Sequence, residues 1–214
     1  MRARRRAIKG LYAITPDELD TVRLLQQAEQ ALLGGAAILQ YRNKLADTVL
    51  QREQALALRD LTRSFGVTFI VNDDVQLALH VSADGVHLGA DDGDIAAARE
   101  VLGRDKLVGA SCYNRASLAV EAVRQGADYV AFGAFFPSSV KPGAVTAEIS
   151  LLENARRALQ VPIVAIGGIT VANGKQLVVA GADALAVISA LWQAADITQA
   201  AKDFSQLFEQ GNPA

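Results

Sequence analysis

The chain has little of several residue types, and each shortage excludes a class of protein. Cys112 is its only cysteine, so an internal disulfide framework and a cysteine-based zinc site are both excluded, and a reducing, cytoplasmic location is expected. Acidic residues number 23 and basic residues 21, so the chain lacks the excess of positive charge that is typical of nucleic-acid-binding proteins. We therefore expect no nucleic-acid partner.

Long apolar runs are also missing. The longest stretch without a charged residue spans 158–174 and is interrupted by Pro162, Gly167 and Gly168, so it is too short and too broken to cross a bilayer. The basic residues near the start are not followed by the unbroken apolar segment of a signal peptide. We expect no membrane partner and interpret residues 1–9 as a flexible basic tail.

What is present is a repeated unit of a helix-like segment, a turn and a short aliphatic run. The composition, 51% hydrophobic and 21% charged over 214 residues, is that of a globular chain. Eight aliphatic runs begin at Gly10, Ala36, Val67, Gly85, Lys106, Asp128, Pro162 and Ala184. They are apolar on both faces, as in parallel strands covered on each side. This pattern predicts an α/β fold, a single (β/α)8 TIM barrel over 10–210 that forms the catalytic domain.

An open, doubly wound sheet is the alternative fold. It would be indicated by a G-x-G-x-x-G motif after the first strand, and residues 11–18 contain no glycine. The segment from Thr15 to Glu18, with Pro16 between them, predicts instead that a helix begins there with a capping box. Glycines at 34, 66, 126 and 181 are placed where helices are expected to end.

Polar residues collect where the predicted strands end, which is where barrels carry out chemistry. Gln40, Arg42 and Lys44 occupy alternate positions at the end of the second strand, so they lie on one side of it. An amide and two cations in a row are suited to binding a diphosphate. Ser111, at the end of the fifth strand, is a candidate hydrogen-bond donor.

Carboxylates follow the third and fourth strands. Carboxylates at the ends of adjacent strands, here Asp73, Asp91 and Asp92, can share one hard cation such as magnesium, which prefers a few carboxylates together with water and substrate phosphate oxygens. Asp74 and Asp94 are better explained as helix caps. His87 lies inside an apolar run, where a hydrogen-bonded core histidine is the commoner outcome.

The last strands indicate a second anion site. Gly167 and Gly168 follow the seventh strand, and Ile188 and Ser189 follow the eighth; phosphate groups are commonly held by these two loops in barrels. A loop rich in Gly, Pro and Ser, over 133–143, carries a lysine and can lie over a ligand. The sequence therefore predicts a diphosphate and a monophosphate side by side.

Eight motifs in the same order resemble those of the thiamine-phosphate synthase family. They are LYAITPD, QYRNK, VNDD, GVHLGADD, GAS, FFPSSVK, VAIGGIT and AVISAL. The resemblance covers nearly the whole chain. It implies a (β/α)8 barrel that joins hydroxymethylpyrimidine diphosphate to hydroxyethylthiazole phosphate, or to a carboxylated form of that thiazole, and releases diphosphate.

The resemblance also implies a role for each matching residue. The pyrimidine diphosphate would be bound by Gln40, Tyr41, Arg42, Asn43, Lys44, Asn72, Ser111 and Lys141, of which Arg42, Lys44, Ser111 and Lys141 would be catalytic. One Mg²⁺ ion would be bound by Asp73 and Asp92. The thiazole phosphate would be bound by Ser138, Ser139, Val140, Gly168, Ile188 and Ser189. The chain departs from the family pattern at Tyr113, where histidine is common, and at Val140, where threonine is common.

Two other functions stay open at this point. A thiazole tautomerase shares the barrel but would have no use for the cationic row or the carboxylate pair. A non-catalytic sensor of a phosphorylated ligand would be expected to carry an additional domain. The sequence also leaves the oligomeric state open, with a homo-oligomer as one alternative.

Overall fold

Eight parallel strands close into a barrel in which each strand pairs with the next along the chain and β8 pairs with β1. The computed structural model describes residues 8–89, 93–137 and 145–209. The strands are β1 (Gly10–Ile14), β2 (Ile38–Tyr41), β3 (Thr68–Asn72), β4 (Gly85–Leu88), β5 (Leu107–Ser111), β6 (Tyr129–Phe132), β7 (Ile163–Ile166) and β8 (Ala184–Val187). The predicted (β/α)8 barrel is confirmed, and an open sheet is excluded.

Helices follow the strands and surround the barrel. They are α1 (Thr21–Leu33), α2 (Thr48–Phe65), α3 (Val75–His80), α4 (Ile95–Leu102), α5 (Ala116–Arg124), α6 (Ser150–Ala158), α7 (Val171–Val179), α8 (Ser189–Trp192) and α9 (Ile197–Glu209). No helix in the described parts of the chain is long and apolar enough to cross a membrane.

Side chains alternate along the strands between two apolar cores. On β1, Leu11 and Ala13 pack in the larger core with residues of the helices, whereas Tyr12 and Ile14 belong to a smaller cluster inside the barrel. Ile8 is buried in the same inner cluster. Burial on both faces explains why the strands read as continuous aliphatic runs rather than as an alternating pattern.

Four helices start where an aspartate ends the preceding loop. Each of these carboxylates accepts a backbone N–H of the first helical turn, which satisfies groups that have no partner within the helix. The capping aspartates are Asp20, Asp47, Asp74 and Asp94. The interpretation of Asp74 and Asp94 as caps is confirmed.

The predicted capping box at Thr15 is wrong. Helix α1 begins at Thr21, with Asp20 as its cap. The Thr15 hydroxyl instead donates to the Arg42 carbonyl and accepts from the Arg42 N–H, both at 2.8 Å. This exchange joins the end of β1 to the loop after β2, and a long-range partner of this kind outweighs the local capping pattern.

At the amino-terminal end of the barrel, an ion pair fastens a helix to two strands. Asp84 immediately precedes β4, and its carboxylate accepts the Phe69 N–H of β3 at 2.9 Å. The same oxygen lies 3.1 Å from Nη1 of Arg59 on α2. We call this set of an arginine, an aspartate and a strand N–H a clamp.

Two more clamps repeat this arrangement at every second strand. Asp128 and Asp183 precede β6 and β8, as Asp84 precedes β4. The sets are Arg99, Asp128 and the Val108 N–H, and Arg156, Asp183 and the Ile163 N–H. Each clamp therefore ties an even-numbered helix to the strand after it and to the next strand along.

The residue immediately before β2, where the other even-numbered strands have a clamp aspartate, is Ala37. In this part of the barrel α1 packs closely against α9. A side chain on Gly34, which ends α1, would place its Cβ only 2.4 Å from the Cβ of Ala201 on α9. The Ser205 hydroxyl of α9 donates to the Gly35 carbonyl at 3.1 Å. Small residues and backbone contacts thus hold the first helix to the last.

Candidate active site

A cavity of about 810 Å³ opens at the carboxyl ends of the strands. Its wall combines apolar residues of the inner cluster with polar side chains from five neighbouring strands and the loops that follow them. The polar wall residues include Tyr12, Gln40, Arg42, Asn72, His87, Ser111, Asn114 and Arg115. This is the end of the barrel where the sequence predicted chemistry.

The side chains at the end of β2 face two ways, some toward the cavity and others toward the protein interior. Gln40 and Arg42 line the cavity. The Tyr41 hydroxyl donates to Oε1 of Gln54 on α2 at 2.9 Å, and Nδ2 of Asn43 donates to the same oxygen at 3.0 Å. Tyr41 and Asn43 therefore shape the loop after β2, while Gln40 and Arg42 face the ligand space and Lys44 does not line the cavity.

Asp17 organises the cationic row. Its carboxylate lies 3.2 Å from Nη1 of Arg42, and it accepts the Lys44 N–H at 2.7 Å. The Lys44 side chain is exposed. Arginine has five N–H donors, so Arg42 keeps donors for a ligand while Asp17 fixes its direction.

A continuous chain of hydrogen bonds crosses the floor of the cavity. Nε2 of Gln40 donates to the Tyr12 hydroxyl at 2.8 Å, and that hydroxyl lies 2.9 Å from the Tyr129 hydroxyl. Tyr129 Oη lies 3.1 Å from Nδ1 of His87, and Nε2 of His87 lies 3.0 Å from the Ser111 hydroxyl. Both ends of this chain, Gln40 and Ser111, line the cavity.

The three side chains in the middle of this series of hydrogen bonds are uncharged. Burial lowers the pKa of His87 to about 4, so its imidazole is neutral at physiological pH. Burial also raises the pKa of Tyr12 and of Tyr129 well above the ordinary range of a phenol. His87 is thus the hydrogen-bonded core histidine that the sequence predicted.

The end of β3 supplies a carboxylate beside the cavity. Asn72 lines the cavity, and its Nδ2 donates to Oδ2 of Asp73 at 2.6 Å. The backbone of Asp73 has φ of +61°, a region that aspartate tolerates better than most residues. Its N–H donates to the His87 carbonyl at 2.8 Å. Asp92, the other predicted metal ligand, lies outside the described residues.

A second cavity of about 390 Å³ lies beside the first and shares wall residues with it. Gly168, Ile188 and Ser189 line it, and Ile188 contributes to both cavities. A Cβ on Gly168 would lie 2.3 Å from the Pro137 carbonyl oxygen, and the residue has φ of +62°. Glycine is therefore required for the loop after β7 to approach the loop after β6.

Four predicted site residues are consecutive in the sequence. Ser138, Ser139, Val140 and Lys141 lie outside the described residues. Cys112 is buried, and burial raises the pKa of its thiol to about 12. A thiol of this kind is a poor nucleophile, in agreement with its interpretation as a small buried residue.

Sequence reasoning did not identify Tyr12, Tyr129, Asp17 or Arg115 as parts of this site. The sequence does carry a signal for the two tyrosines. Each lies within an aliphatic run, and a buried tyrosine hydroxyl needs a hydrogen-bond partner. Asp17 and Arg115 lie in loops, where the sequence gives no indication of which way a side chain points.

A closed barrel with two adjoining cavities at the carboxyl ends of its strands defines the chain as a (β/α)8-barrel enzyme. The family model for thiamine monophosphate synthase matches residues 11–191. The chain therefore belongs to the thiamine-phosphate synthase family, as the resemblance of its motifs indicated. It is an alkyltransferase of thiamine biosynthesis.

Individual relatives agree with this assignment. The thiamine-phosphate synthase of Methylobacillus flagellatus is 61% identical over 201 residues, which cover 94% of this chain and 96% of that protein. The thiamine-phosphate synthase of Azoarcus sp. is 57% identical over 94% of this chain and 98% of its own length. The solved structure of thiamine phosphate pyrophosphorylase from Pyrococcus furiosus is 35% identical, with a TM-score of 0.87, and the match covers 97% of this chain and 99% of that one.

Proposed function

We propose that the two cavities bind the two substrates of one condensation, in which hydroxymethylpyrimidine diphosphate and hydroxyethylthiazole phosphate give thiamine phosphate and diphosphate. The observation that carries this proposal is the pair of adjoining cavities. One has Arg42, Gln40 and Asn72 in its wall, the other has Gly168 and Ser189, and they meet at Ile188. A thiazole tautomerase would have no use for the first set.

In this proposal the larger cavity holds the pyrimidine diphosphate. Arg42 is directed by Asp17 and carries several N–H donors in a planar fork, which suits phosphate oxygens. Lys44 adds a second cation at the same strand end. Gln40, Asn72 and Ser111 supply neutral polar groups for the heterocycle and its diphosphate.

The smaller cavity holds the thiazole phosphate. The loops after β7 and β8 are a common phosphate site in barrels, and Gly168 lets the chain approach where a side chain would collide. In this proposal Ser138, Ser139 and Val140 would also bind the thiazole phosphate, and Lys141 would bind the diphosphate. The location of the enzyme is proposed to be cytoplasmic, because a chain with one cysteine fits a reducing compartment.

The residues present fit a magnesium ion that takes some of its ligands from the substrate. Within the described residues, no group of three or more His, Cys, Asp or Glu side chains could hold a metal. Magnesium usually takes one or two carboxylates and completes its shell with water and substrate phosphate oxygens. Asp73 would be one such carboxylate and Asp92 the other. The bound ion would supply positive charge to the departing diphosphate.

The residues suit a dissociative substitution. The bond between the pyrimidine methylene carbon and the diphosphate oxygen breaks, and both electrons leave with diphosphate. Arg42 and Lys44 stabilise the negative charge that develops on those oxygens. The 4-amino group of the pyrimidine delocalises the positive charge that remains, and the thiazole nitrogen donates its lone pair to the carbon. That nitrogen carries no proton, so no general base is needed, which agrees with a neutral, buried His87.

The direct test is an assay of diphosphate release by the purified protein with magnesium and both substrates. We expect release only when both substrates are present, together with formation of thiamine phosphate. Folded protein that releases no diphosphate under these conditions would refute the proposal. Isomerisation of a thiazole phosphate without condensation would favour the tautomerase instead.

A further inference from the structure

The side chains on the hydrogen-bonded floor of the cavity each have a fixed number of hydrogens, and this number limits which group can donate to which. Each tyrosine hydroxyl has one hydrogen to donate, and a neutral imidazole has one N–H and one acceptor nitrogen. Four hydrogen bonds connect Gln40, Tyr12, Tyr129, His87 and Ser111. The direction of the first therefore limits the directions open to the others.

The chain can be followed from Gln40. Its amide N–H donates to Tyr12 Oη, so the Tyr12 hydrogen is available for Tyr129 Oη. The Tyr129 hydrogen is then available for Nδ1 of His87. An imidazole that accepts at Nδ1 carries its hydrogen on Nε2, and Nε2 lies 3.0 Å from Ser111 Oγ.

With the amide of Gln40 donating to Tyr12, the opposite tautomer leaves a hydrogen without an acceptor. With a hydrogen on Nδ1, His87 would donate to Tyr129, and Tyr129 would donate to Tyr12. Tyr12 Oη would then accept twice, and among the described residues its hydroxyl has no hydrogen-bond partner beyond Gln40 and Tyr129. A buried hydroxyl without an acceptor is unfavourable, so the first direction is preferred.

We propose that His87 is a positioning residue for Ser111: the Tyr12–Tyr129 pair holds its Nε2–H tautomer, that N–H donates to Ser111 Oγ, and the serine hydrogen is directed to the pyrimidine diphosphate. Ser111 is then a donor to the ligand rather than to the protein. At the other end of the chain, Gln40 uses its N–H on Tyr12 and presents its carbonyl oxygen. The floor thus offers a donor and an acceptor in a fixed order. This inference rests on the proposed function for the identity of the ligand.

The tautomer can be read without any assay of activity. The chain has two histidines, so long-range ¹H–¹⁵N correlations of the imidazole rings in labelled protein give two patterns, and His80→Gln identifies that of His87. We expect the Nε2–H tautomer in the free protein. Tyr129→Phe removes the donor to Nδ1 and should shift His87 toward a mixture. An Nδ1–H tautomer in the unsubstituted protein would overturn the proposal.

A double-mutant cycle tests the consequence for catalysis. Ser111→Ala and His87→Leu are each expected to lower kcat by about tenfold to a hundredfold, the range of a hydrogen bond to a charged group. If His87 acts through Ser111, the double variant should be no slower than Ser111→Ala alone. Multiplied losses would mean that His87 supports the site by another route.

Two further variants separate positioning from packing. His87→Gln places an amide N–H near the position of Nε2, and we expect it to retain most of kcat; a loss as large as that of His87→Leu would overturn the proposal even if His87→Leu fails to fold. Thr62→Val removes a buried hydroxyl on α2 that donates to the Arg59 carbonyl, and its kcat should be unchanged. Failure of the proposed function itself would appear separately, as absence of diphosphate release by the unsubstituted protein.

Discussion

The two ends of the barrel use polar groups in opposite ways. At the amino-terminal end, each of the three clamps joins an arginine to an aspartate that also accepts a strand N–H, so these charged groups are ion-paired within the protein. At the carboxyl-terminal end, Arg42 is steered by Asp17 but lines an 810 Å³ cavity. One end uses charge to hold strands together, and the other presents polar groups to a ligand. Substitutions at the two ends should therefore separate stability from activity.

The largest effect is expected from breaking a clamp. Asp128→Asn removes the charge that pairs with Arg99, a side chain 17% exposed against 8% for Asp128. Loss of one partner of a largely buried pair should lower the free energy of unfolding by about 3–5 kcal/mol. Urea unfolding measures this change, while kcat of the folded enzyme should stay near that of the unsubstituted protein.

A surface pair on the same protein provides the control. Glu121 and Arg124 form an ion pair whose side chains are 45% and 73% exposed. Glu121→Gln should leave the free energy of unfolding nearly unchanged, because exposed ion pairs contribute little to stability. Equal losses for the two substitutions would show that the clamps contribute no more than exposed charges do.

The next effect concerns His87, which lies between the two ends. Its pKa is about 4 in the folded protein, because burial disfavours the charged form, against 6.5 for an unperturbed histidine. Between these values the unfolded chain binds a proton that the folded protein does not. The free energy of unfolding should therefore fall as the pH is lowered from 6.5 to 4, by about 3 kcal/mol in total from this residue.

Urea unfolding across that pH range, compared with His87→Gln, isolates this contribution from those of the carboxylates. The substituted protein should lose less stability than the unsubstituted protein as the pH falls from 6.5 to 4. Parallel curves would mean that His87 has the same pKa in both states.

At the cavity end, Arg42→Gln should have the reverse signature of a clamp variant. Removing the cation that faces the developing charge of diphosphate should lower kcat/KM by about a hundredfold, equivalent to about 3 kcal/mol. The free energy of unfolding should change by less than about 1 kcal/mol, since only a partly exposed pair with Asp17 is lost. Steady-state kinetics and urea unfolding on one preparation measure both. An Arg42→Gln protein that is destabilised yet fully active would show that charges at the two ends of the barrel do not differ in their roles.

The smallest effect is expected at the second cavity. Gly168→Ala puts a Cβ 2.3 Å from the Pro137 carbonyl oxygen at a residue with φ of +62°, so the loops after β6 and β7 must move apart. We expect KM for thiazole phosphate to rise about tenfold, a loss of about 1.4 kcal/mol, with KM for the pyrimidine diphosphate little changed. An equal rise for both substrates would mean that the cavities do not bind them separately.

The strands could be predicted from the sequence because their cause is local. An aliphatic run buried on both faces is visible in the residues themselves, and all eight runs became strands. The start of α1 could not be predicted, because Thr15 has a partner, Arg42, that is 27 residues away. The polar chain on the cavity floor was hidden for the same reason, since Tyr12 and Tyr129 are separated by 117 residues.

The site at the end of β2 shows a second limit. The family resemblance marks the whole segment 40–44 as binding substrate. The two-residue period of a strand separates Gln40 and Arg42, which line the cavity, from Tyr41 and Asn43, which bond to Gln54. The sequence shows that side chains alternate along the strand, but which of them face the cavity is known only from the pairing of the strands.

The clamps carry a consequence for the symmetry of the molecule. Advancing by two strands brings Asp84 to the position of Asp128, and Asp128 to that of Asp183, so three quarters of the barrel follow one rotational rule. The remaining quarter, where Ala37 stands, is where the polypeptide begins and ends its circuit. A ring of identical quarters would have no preferred starting point, but here the close approach of Gly34 to Ala201 marks a seam. Helix α9 thus packs against the end of α1 beside the pairing of β8 with β1, so the last helix covers the junction between the first and last strands.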